Sequence, residues 1–361
     1  MDGVDAVLAR FADHSCEIMA ANRQPYPDAL RSKLLATAQN PEQFRLDTLG
    51  ELDHRVADCF ATATAGLLSA CGIGRREVCA IGSHGQTVRH RPHASYPFTL
   101  QIGDPNIIAA QTGITTVADF RRRDLALGGE GAPLTPAFHQ WLFSDSQRYT
   151  TVLNIGGIAN VTLMPHGSAP TIGFDTGPGN TLLDAWIMEN RSKAYDAAGV
   201  WAASGAVSQP LLQTLMNDRY FSDAPPKSTG FEYFNLGWLR KAMQSCQFPQ
   251  LPLAEDVQAT LAELTALSIS NAVIAHAPQC EQVFVCGGGV HNTYLMSRLE
   301  ENLQDTRVAT TANCGLDPDW VEAAAFAWMA MRRLLEQPGN LPSVTGARRA
   351  AVLGGIFFGT V

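Results

Sequence analysis

Three glycine clusters follow short apolar runs in this chain: Gly128-Gly129, Gly156-Gly157 and Gly287-Gly288-Gly289. A backbone without side chains can come close to a phosphate, and exposed N–H groups at a turn or helix start can receive the anion. Glycine turns also end strands in many folds, so any one cluster is a weak sign of a ligand. None matches G-x-G-x-x-G or G-x-x-x-x-G-K-[ST], which lowers the dinucleotide and P-loop readings. A nicotinamide-dependent oxidoreductase would rest on Gly287 to Gly289 alone, without the fingerprint or its acidic partner.

Further positions carry groups suited to a polar ligand. Asp175 lies between Gly173 and Gly177 in a turn of small residues. A carboxylate there can project into a cleft, or serve only an Asx-turn or a helix cap. Arg121-Arg122-Arg123 follows an apolar run and precedes Gly128. Such runs are usually a solvated face, yet a guanidinium at this place can hold a carboxylate or phosphate bidentately. Glu322 falls in the first turn of an expected helix, where the helix dipole accounts for it. His84 and Thr87 occupy a polar loop, and a loop histidine is more often structural than catalytic. No His/Cys cluster has zinc spacing, and G-x-S-x-G is absent.

The elements that must position these groups alternate between strand and helix. Val4 to Phe11 and Glu17 to Ala21 read as a hairpin. Leu46 to Leu68 has helical spacing through Leu49, Leu52, Val56, Phe60 and Leu67, and Val78 to Gly82 reads as a buried strand feeding the loop at 83–87. Ile114 to Ala118 reads as a strand and Pro133 to Phe143 as a helix. A second unit opens with a strand and turn from Thr151 to Gly157, then Asn160 to Leu163, then the turn from Gly173 to Asn180, with Asn180 capping a helix. Asp256 to Ala275, Val283 to Cys286, Thr293 to Leu303 and Pro318 to Leu335 continue as helix, strand, helix and helix. This order predicts an α/β fold with mostly parallel sheets.

A length of 361 residues predicts two domains. Hydrophobic residues at 46% and charged residues at 17% exclude disorder and a coiled coil. With 26 Lys+Arg against 34 Asp+Glu, the net charge of -8 offers no field for a phosphate backbone, so no nucleic acid partner is expected. Eight cysteines without C-x-x-C predict reduced thiols and a cytoplasmic compartment. The start, Met1-Asp2-Gly3-Val4-Asp5, has neither the basic nor the apolar segment of a signal peptide. The uncharged stretch from Tyr149 to Phe174 is interrupted by Asn154, Gly156, Gly157, Asn160, Pro165, His166 and Pro170, so no membrane partner is expected.

Several motifs in one order carry a resemblance: D-G-V-D (2–5), I-G-S-H-G-Q-T (81–87), D-F-R-R-R-D (119–124), G-A-P-L (131–134), L-N-I-G-G-I-A-N (153–160), G-F-D-T-G-P-G-N (173–180), P-K-S-T-G (226–230), C-G-G-G (286–289) and N-L-P-S-V-T-G-A (340–347). Together they closely resemble the anhydro-N-acetylmuramic acid kinases, over almost the whole chain. The resemblance implies a two-domain actin-like ATPase (ribonuclease H-like) fold with a ligand cleft between the domains. Residues 1–145 would form the first domain and 146–336 the second, with a tail at about 337–361 packing back on the first. It also implies the reaction: 1,6-anhydro-N-acetylmuramic acid, ATP and water give N-acetylmuramic acid 6-phosphate and ADP, in peptidoglycan recycling.

By its match to the family's base, Asp175 would deprotonate the water that attacks C1. Arg122 would anchor the lactyl carboxylate, and Gln86, Thr87 and Glu322 would hold other groups of the sugar. ATP with Mg²⁺ would meet Asp2, Gly3, Asn154, Gly156, Gly157, Gly177, Gly179 and Asn180, with Gly287, Gly288, Gly289 and Asn292 bordering the adenosine; no metal ligand is assigned. The partners implied are the sugar and water, with a homodimer as the assembly considered. Two departures stand out. Family members usually carry R-E after K-S-T-G, and Phe231-Glu232 stands there instead. Relatives begin with an apolar strand and a G-T-S-L-D-G turn, whereas this chain enters at Met1-Asp2-Gly3. That start reads as a start codon placed too late or a truncated gene, with the first strand and phosphate loop missing. The alternative it leaves is a sugar-binding relative with impaired catalysis.

Overall fold

Asp13 and His14 both adopt positive φ, 35° and 61°, at the tip of the first hairpin. Two consecutive residues of that hand match the twist of paired strands, which is how β1 (Gly3–Ala12) turns back into β2 (Ser15–Pro25). The computed structural model describes residues 3–39, 45–167, 169–248 and 251–359. They divide into two compact units, residues 1–142 with 320–361, and residues 143–319.

In the first unit, the helix Leu46–Cys71 buries Leu52, Val56, Ala63 and Leu67 and stops at Gly72 in the left-handed region. Its apolar stripe shares a core with Val4, Tyr26, Leu30, Leu34, Val88 and Ile102. β3 (Ile81–Gly82), β4 (Gln86–Arg91), β5 (Phe98–Ile102) and β6 (Thr116–Ala118) follow, and the last strand of the chain, β12 (Gly355–Phe357), returns to this unit. β6 is central to a three-stranded sheet, parallel to β3 and antiparallel to β12, while β4 and β5 form a separate antiparallel pair. Of the strand expected at 78–82 only Ile81 and Gly82 are paired, because β6 itself is three residues long. A Cβ on Gly82 would collide with the Phe326 carbonyl, so the bare glycine lets the helix Val321–Leu334 pack directly on β3. That contact brings the 83–87 loop beside the helix that carries Glu322.

The second unit holds a five-stranded sheet in the order β11-β10-β7-β8-β9, built from β7 (Thr150–Ile155), β8 (Ile158–Met164), β9 (Ile172–Pro178), β10 (Gln282–Cys286) and β11 (Arg307–Thr310). β10 is parallel to β7 and β11, but β7, β8 and β9 run antiparallel. The sheet is therefore mixed rather than mostly parallel. The reason is local: the two residues Gly156-Gly157 between β7 and β8 are too few for a crossover and close a hairpin. The helix Ala254–His276 is among the described residues the one long and apolar enough to cross a membrane, and it lies largely buried in this unit. Ala266, Ile269 and Val273 face the sheet core, while Val257, Leu261 and Leu264 pack against a helical cluster around Trp186, Trp201 and Phe234.

Candidate active site

Asp175 lies in the middle of β9 and not in a turn, which corrects the expectation for the glycine-rich stretch at 173–180. The stretch extends because β8 offers it a partner: Gly173 pairs with Thr162, Phe174 with Val161 and Asp175 with Asn160. Between Asn160 and Ala159 the register slips, and Ala159 pairs with Gly177, so Thr176 is the extra residue of a bulge. A bulge bends its strand and re-aims the neighbouring side chains, and such bulges are over-represented beside active sites. Asp175 is half-buried between fully buried neighbours, Phe174 and Thr176.

The Pro226 to Gly230 segment then grips this aspartate. The Asp175 N–H donates to the Lys227 carbonyl at 3.1 Å, and the Thr229 N–H donates to Asp175 Oδ2 at 2.9 Å. The Tyr220 hydroxyl donates to the Asp175 carbonyl at 2.8 Å. Lys227 in turn donates from Nζ to the Tyr220 carbonyl at 3.0 Å and sits 4.8 Å from the centre of the Tyr220 ring. Burial, with Asp175 adding to it, pushes the Tyr220 hydroxyl up from its ordinary value, so it stays a donor. Asp218 ties the base of this arrangement by accepting from Tyr220 N, Tyr233 Oη and Trp238 Nε1 at 2.7 to 2.9 Å. The sequence marked the P-K-S-T-G motif but gave Thr229 no role; the only signal was the position of that motif in the chain.

The glycine segments meet at one end of the same sheet. The N–H groups of Asn180 and Thr181 donate to the carbonyls of Gly156 and Gly157, at 2.8 and 3.0 Å, and Gly179 N–H also reaches Gly157 O at 2.9 Å. A Cβ on Gly179 would strike the Gly156 carbonyl, and one on Gly287 would strike Asn154 Oδ1, so both close approaches require glycine. Gly287 also has φ 82°. The turns of 156–157, 177–180 and 287–289 thus converge beyond the C-terminal ends of the parallel strands β7 and β10, where α/β sheets place their ligands. Asn180 was expected to cap the helix Thr181–Arg191; its side chain makes no cap bond, and Nδ2 donates instead to the Ile155 carbonyl at 3.3 Å. Asn292 is a cap: its Oδ1 accepts from Leu295 N at 3.0 Å and packs against Gly199. Gly288 has open space around its α-carbon.

In the first unit, Gly3 is the first residue of β1 and pairs with Pro25, while Asp2 lies outside the described residues. Thr87 sits on β4 at a bulge, and its Oγ1 accepts from Gln101 Nε2 at 3.2 Å. Gln86 donates weakly to the Thr87 carbonyl at 3.4 Å. Glu322 is solvent-accessible yet hemmed in by protein, so lost hydration pushes its carboxyl up against the pull of Arg121, with Asp5 adding to the rise. The arginine run splits by burial. Arg121 donates to His84 Nε2 at 2.6 Å and to the Gly131 carbonyl at 2.8 Å, and the ring of His84 lies 4.4 Å from that of Phe326. Burial, with the Arg121 charge beside it, drives the His84 imidazole down to about 3, so it is a neutral acceptor that orients Arg121.

Arg122, by contrast, leaves 57% of its side chain exposed, and its one ion pair among the described residues is a 3.6 Å contact with Asp119. It lines a cavity of about 660 Å³ together with Asp119, Arg123, Arg333 and Glu336. Arg333 and Glu322 are eleven residues apart on one helix, about 16 Å of rise, so the structure faces Arg122 toward the far end of that helix. Arg121 is the residue that the sequence reading missed when it singled out Arg122 from the run. Its distinguishing signal was Phe120 and Asp124, spaced four apart, which mark the buried face of the helix Phe120–Ala126.

A sequence model of the family described as anhydro-N-acetylmuramic acid kinase matches residues 1–359. A protein of that name from Coxiella burnetii (strain RSA 493 / Nine Mile phase I) is 49% identical over 360 residues, covering 99% of this chain and 95% of that protein. One from Shewanella loihica is 50% identical over 359 residues, covering 99% and 96%. Among solved structures, component A of (R)-2-hydroxyglutaryl-CoA dehydratase from Acidaminococcus fermentans superimposes with a TM-score of 0.45 at 13% identity, over 88% of this chain and 89% of that one. On the full-length family match and the identity near one half, this chain belongs to the anhydro-N-acetylmuramic acid kinase family.

Proposed function

We propose that the protein is an ATP-dependent kinase that opens 1,6-anhydro-N-acetylmuramic acid hydrolytically and phosphorylates O6, giving N-acetylmuramic acid 6-phosphate and ADP, in the cytoplasmic recycling of peptidoglycan. One observation carries the mechanism: Asp175, at a bulge on β9, is oriented through both its backbone and its carboxylate by the segment at 227–229. A carboxylate fixed this way can take a proton from water as the water bonds to C1, in the manner of the base of an inverting glycosidase. The C1–O6 bond breaks and its electron pair stays on O6, which captures the γ-phosphoryl group, while the bond from that phosphorus to the bridging oxygen breaks and its electron pair leaves with ADP. Opening the ring and capturing the oxygen together leave no free alkoxide to stabilise.

For the phosphates, the converging turns at 156–157, 177–180 and 287–289 supply backbone close enough to approach them. Mg²⁺ bound with the nucleotide would supply charge neutralisation for the transferring group. The described residues include no group of three or more His, Cys, Asp or Glu able to hold a metal. Thr87, Gln86 and Glu322 act on the sugar's hydroxyls and amide, with Arg121 and His84 behind Glu322 as its support. Arg122 has no part with Glu322 in holding the sugar in this arrangement, because it lines a cavity with Arg333 and Glu336, about 16 Å along the helix from Glu322, whereas Arg121 lies beside Glu322. An actin-like ATPase architecture for the two units is part of this proposal. The alternative of a non-catalytic sugar-binding relative gains no support from the comparisons.

The test is isotopic. Incubation with Mg-ATP and the anhydro sugar in H₂¹⁸O is expected to place one label at C1 of a 6-phosphorylated product. Label in inorganic phosphate with the sugar ring intact would instead describe an ATPase and defeat the reading.

A further inference from the structure

Thr229 has two polar groups beside Asp175, and the structure uses only one of them. Its N–H is bonded to Asp175 Oδ2 at 2.9 Å, while its Oγ1 is buried and has no hydrogen-bond partner among the described residues. A buried hydroxyl left unpaired is costly, and native proteins retain few of them without a reason. A β-branched side chain has few χ1 rotamers, so the hydroxyl has few alternative positions. The Thr229 backbone is pinned by the bond to Asp175, and two residues earlier Lys227 is fixed through its carbonyl to Asp175 N and through Nζ to the Tyr220 carbonyl. Within one residue the amide nitrogen and the hydroxyl oxygen are three bonds apart, so the orphaned oxygen lies in the immediate neighbourhood of the carboxylate that Thr229 holds.

We propose that the Thr229 hydroxyl hydrogen-bonds the water that Asp175 activates, completing its orientation toward the anomeric carbon; this rests on the function proposed above. A water attacking carbon must surrender one proton and aim a lone pair. The Asp175 carboxylate accepts the first proton. The Thr229 hydroxyl accepts a hydrogen bond from the second O–H, which stays on the oxygen and becomes the 1-hydroxyl of the product. Two acceptors on the two hydrogens leave the oxygen lone pair directed away from both, toward C1. The bond to C1 forms as C1–O6 breaks, and O6 leaves with the phosphoryl group, so no further proton or reductant is needed. The same residue therefore holds the base by its backbone and the nucleophile by its side chain.

Thr229→Val tests this with little change of shape, because it removes the hydroxyl and keeps the N–H. We expect kcat to fall by about 10- to 100-fold while KM for sugar and ATP stays within about threefold. Thermal stability is expected to hold or rise, since an unpaired buried hydroxyl is lost. Thr229→Ser restores the hydroxyl and should recover most of kcat, and Thr229→Ala should behave as the valine variant does. A group needed only for structure would instead lower the melting temperature and leave kcat per folded molecule unchanged. Wild-type kcat in Thr229→Val, or a loss that serine does not recover, overturns the proposal. If the wild-type protein forms no 6-phosphorylated sugar, the functional reading falls and this inference with it, an outcome the valine variant alone cannot produce.

Discussion

Asp124 and Asn340 are 216 positions apart in the chain and are joined by a 2.6 Å hydrogen bond from Asn340 Nδ2 to Asp124 Oδ1. The same oxygen accepts from Thr345 Oγ1 at 2.8 Å, and Oδ2 accepts from the Gly131 N–H at 2.8 Å. Asn340 passes the connection on by accepting from Ala351 N at 2.7 Å. Asp124 is fully buried, so this one carboxylate clasps the C-terminal segment to the helix that carries Arg121 and to the Gly131 turn. In the motif D-F-R-R-R-D, the last aspartate is thus a structural pin beneath the arginines.

Asp124→Ala removes the main acceptor of three buried donors, leaving Asn340 Nδ2 and Thr345 Oγ1 only long second bonds to the Arg349 and Leu341 carbonyls at 3.5 and 3.4 Å, and a charge-assisted network is lost with it. The expected loss is about 3 to 5 kcal/mol of stability. Calorimetry of the variant checks the magnitude, and limited proteolysis should show the segment after residue 339 becoming susceptible first. Asp124→Asn should destabilise too, because an amide turns a donor toward donors. Unchanged melting in both variants would show that the tail does not depend on this clasp.

Asp175→Asn keeps shape and removes the base. Turnover is expected to drop by about 10³-fold or more, with sugar binding retained. Titration calorimetry for the sugar and a coupled ADP assay separate the two effects. Near-normal turnover would remove Asp175 from the mechanism.

Arg122→Ala and Arg121→Ala should have different effects. Arg122 is exposed, loosely held and turned toward the end of the helix far from Glu322, so its loss is expected to leave the sugar KM within about threefold and the melting temperature unaltered. Arg121 is packed against His84, so its loss should lower the melting temperature and kcat together. Equal behaviour of the two variants in both measurements would contradict the division of roles.

His84 titrates at about 3 in the folded chain, against an ordinary value of 6.5. The folded protein keeps it neutral, while the unfolded chain takes up a proton below 6.5. Its contribution to stability is therefore complete above pH 6.5 and is lost as pH falls toward about 3. His84→Gln keeps an acceptor for Arg121 but cannot titrate. We expect the variant to lose stability less steeply in that window, by at most about 1.4 kcal/mol per pH unit. His90, held near 4, and His139, near 3, both by burial, leave the rest of the slope in place. Parallel unfolding curves for variant and wild type between pH 6 and 4 would rule His84 out as an acid-sensitive group.

By itself the sequence determined what depends on local periodicity and on runs of motifs. The opening hairpin, the long helices near 46–71 and 254–276, the strand before Gly287 and the family all follow from residues near one another in the chain, since apolar spacing and turn chemistry act within a few positions. Only the tertiary structure decided the rest. Residues 173–178 have the composition of a turn and become a strand because β8 lies alongside and supplies hydrogen bonds that local preference does not register. Consecutive arginines look alike in one dimension, and the packing of a single helix separates a part-buried Arg121 from an exposed Arg122. Thr229 reaches Asp175 across 54 positions and Asn340 reaches Asp124 across 216, and such pairings follow from how the chain closes on itself, because hydrogen-bond partners are chosen by proximity in space.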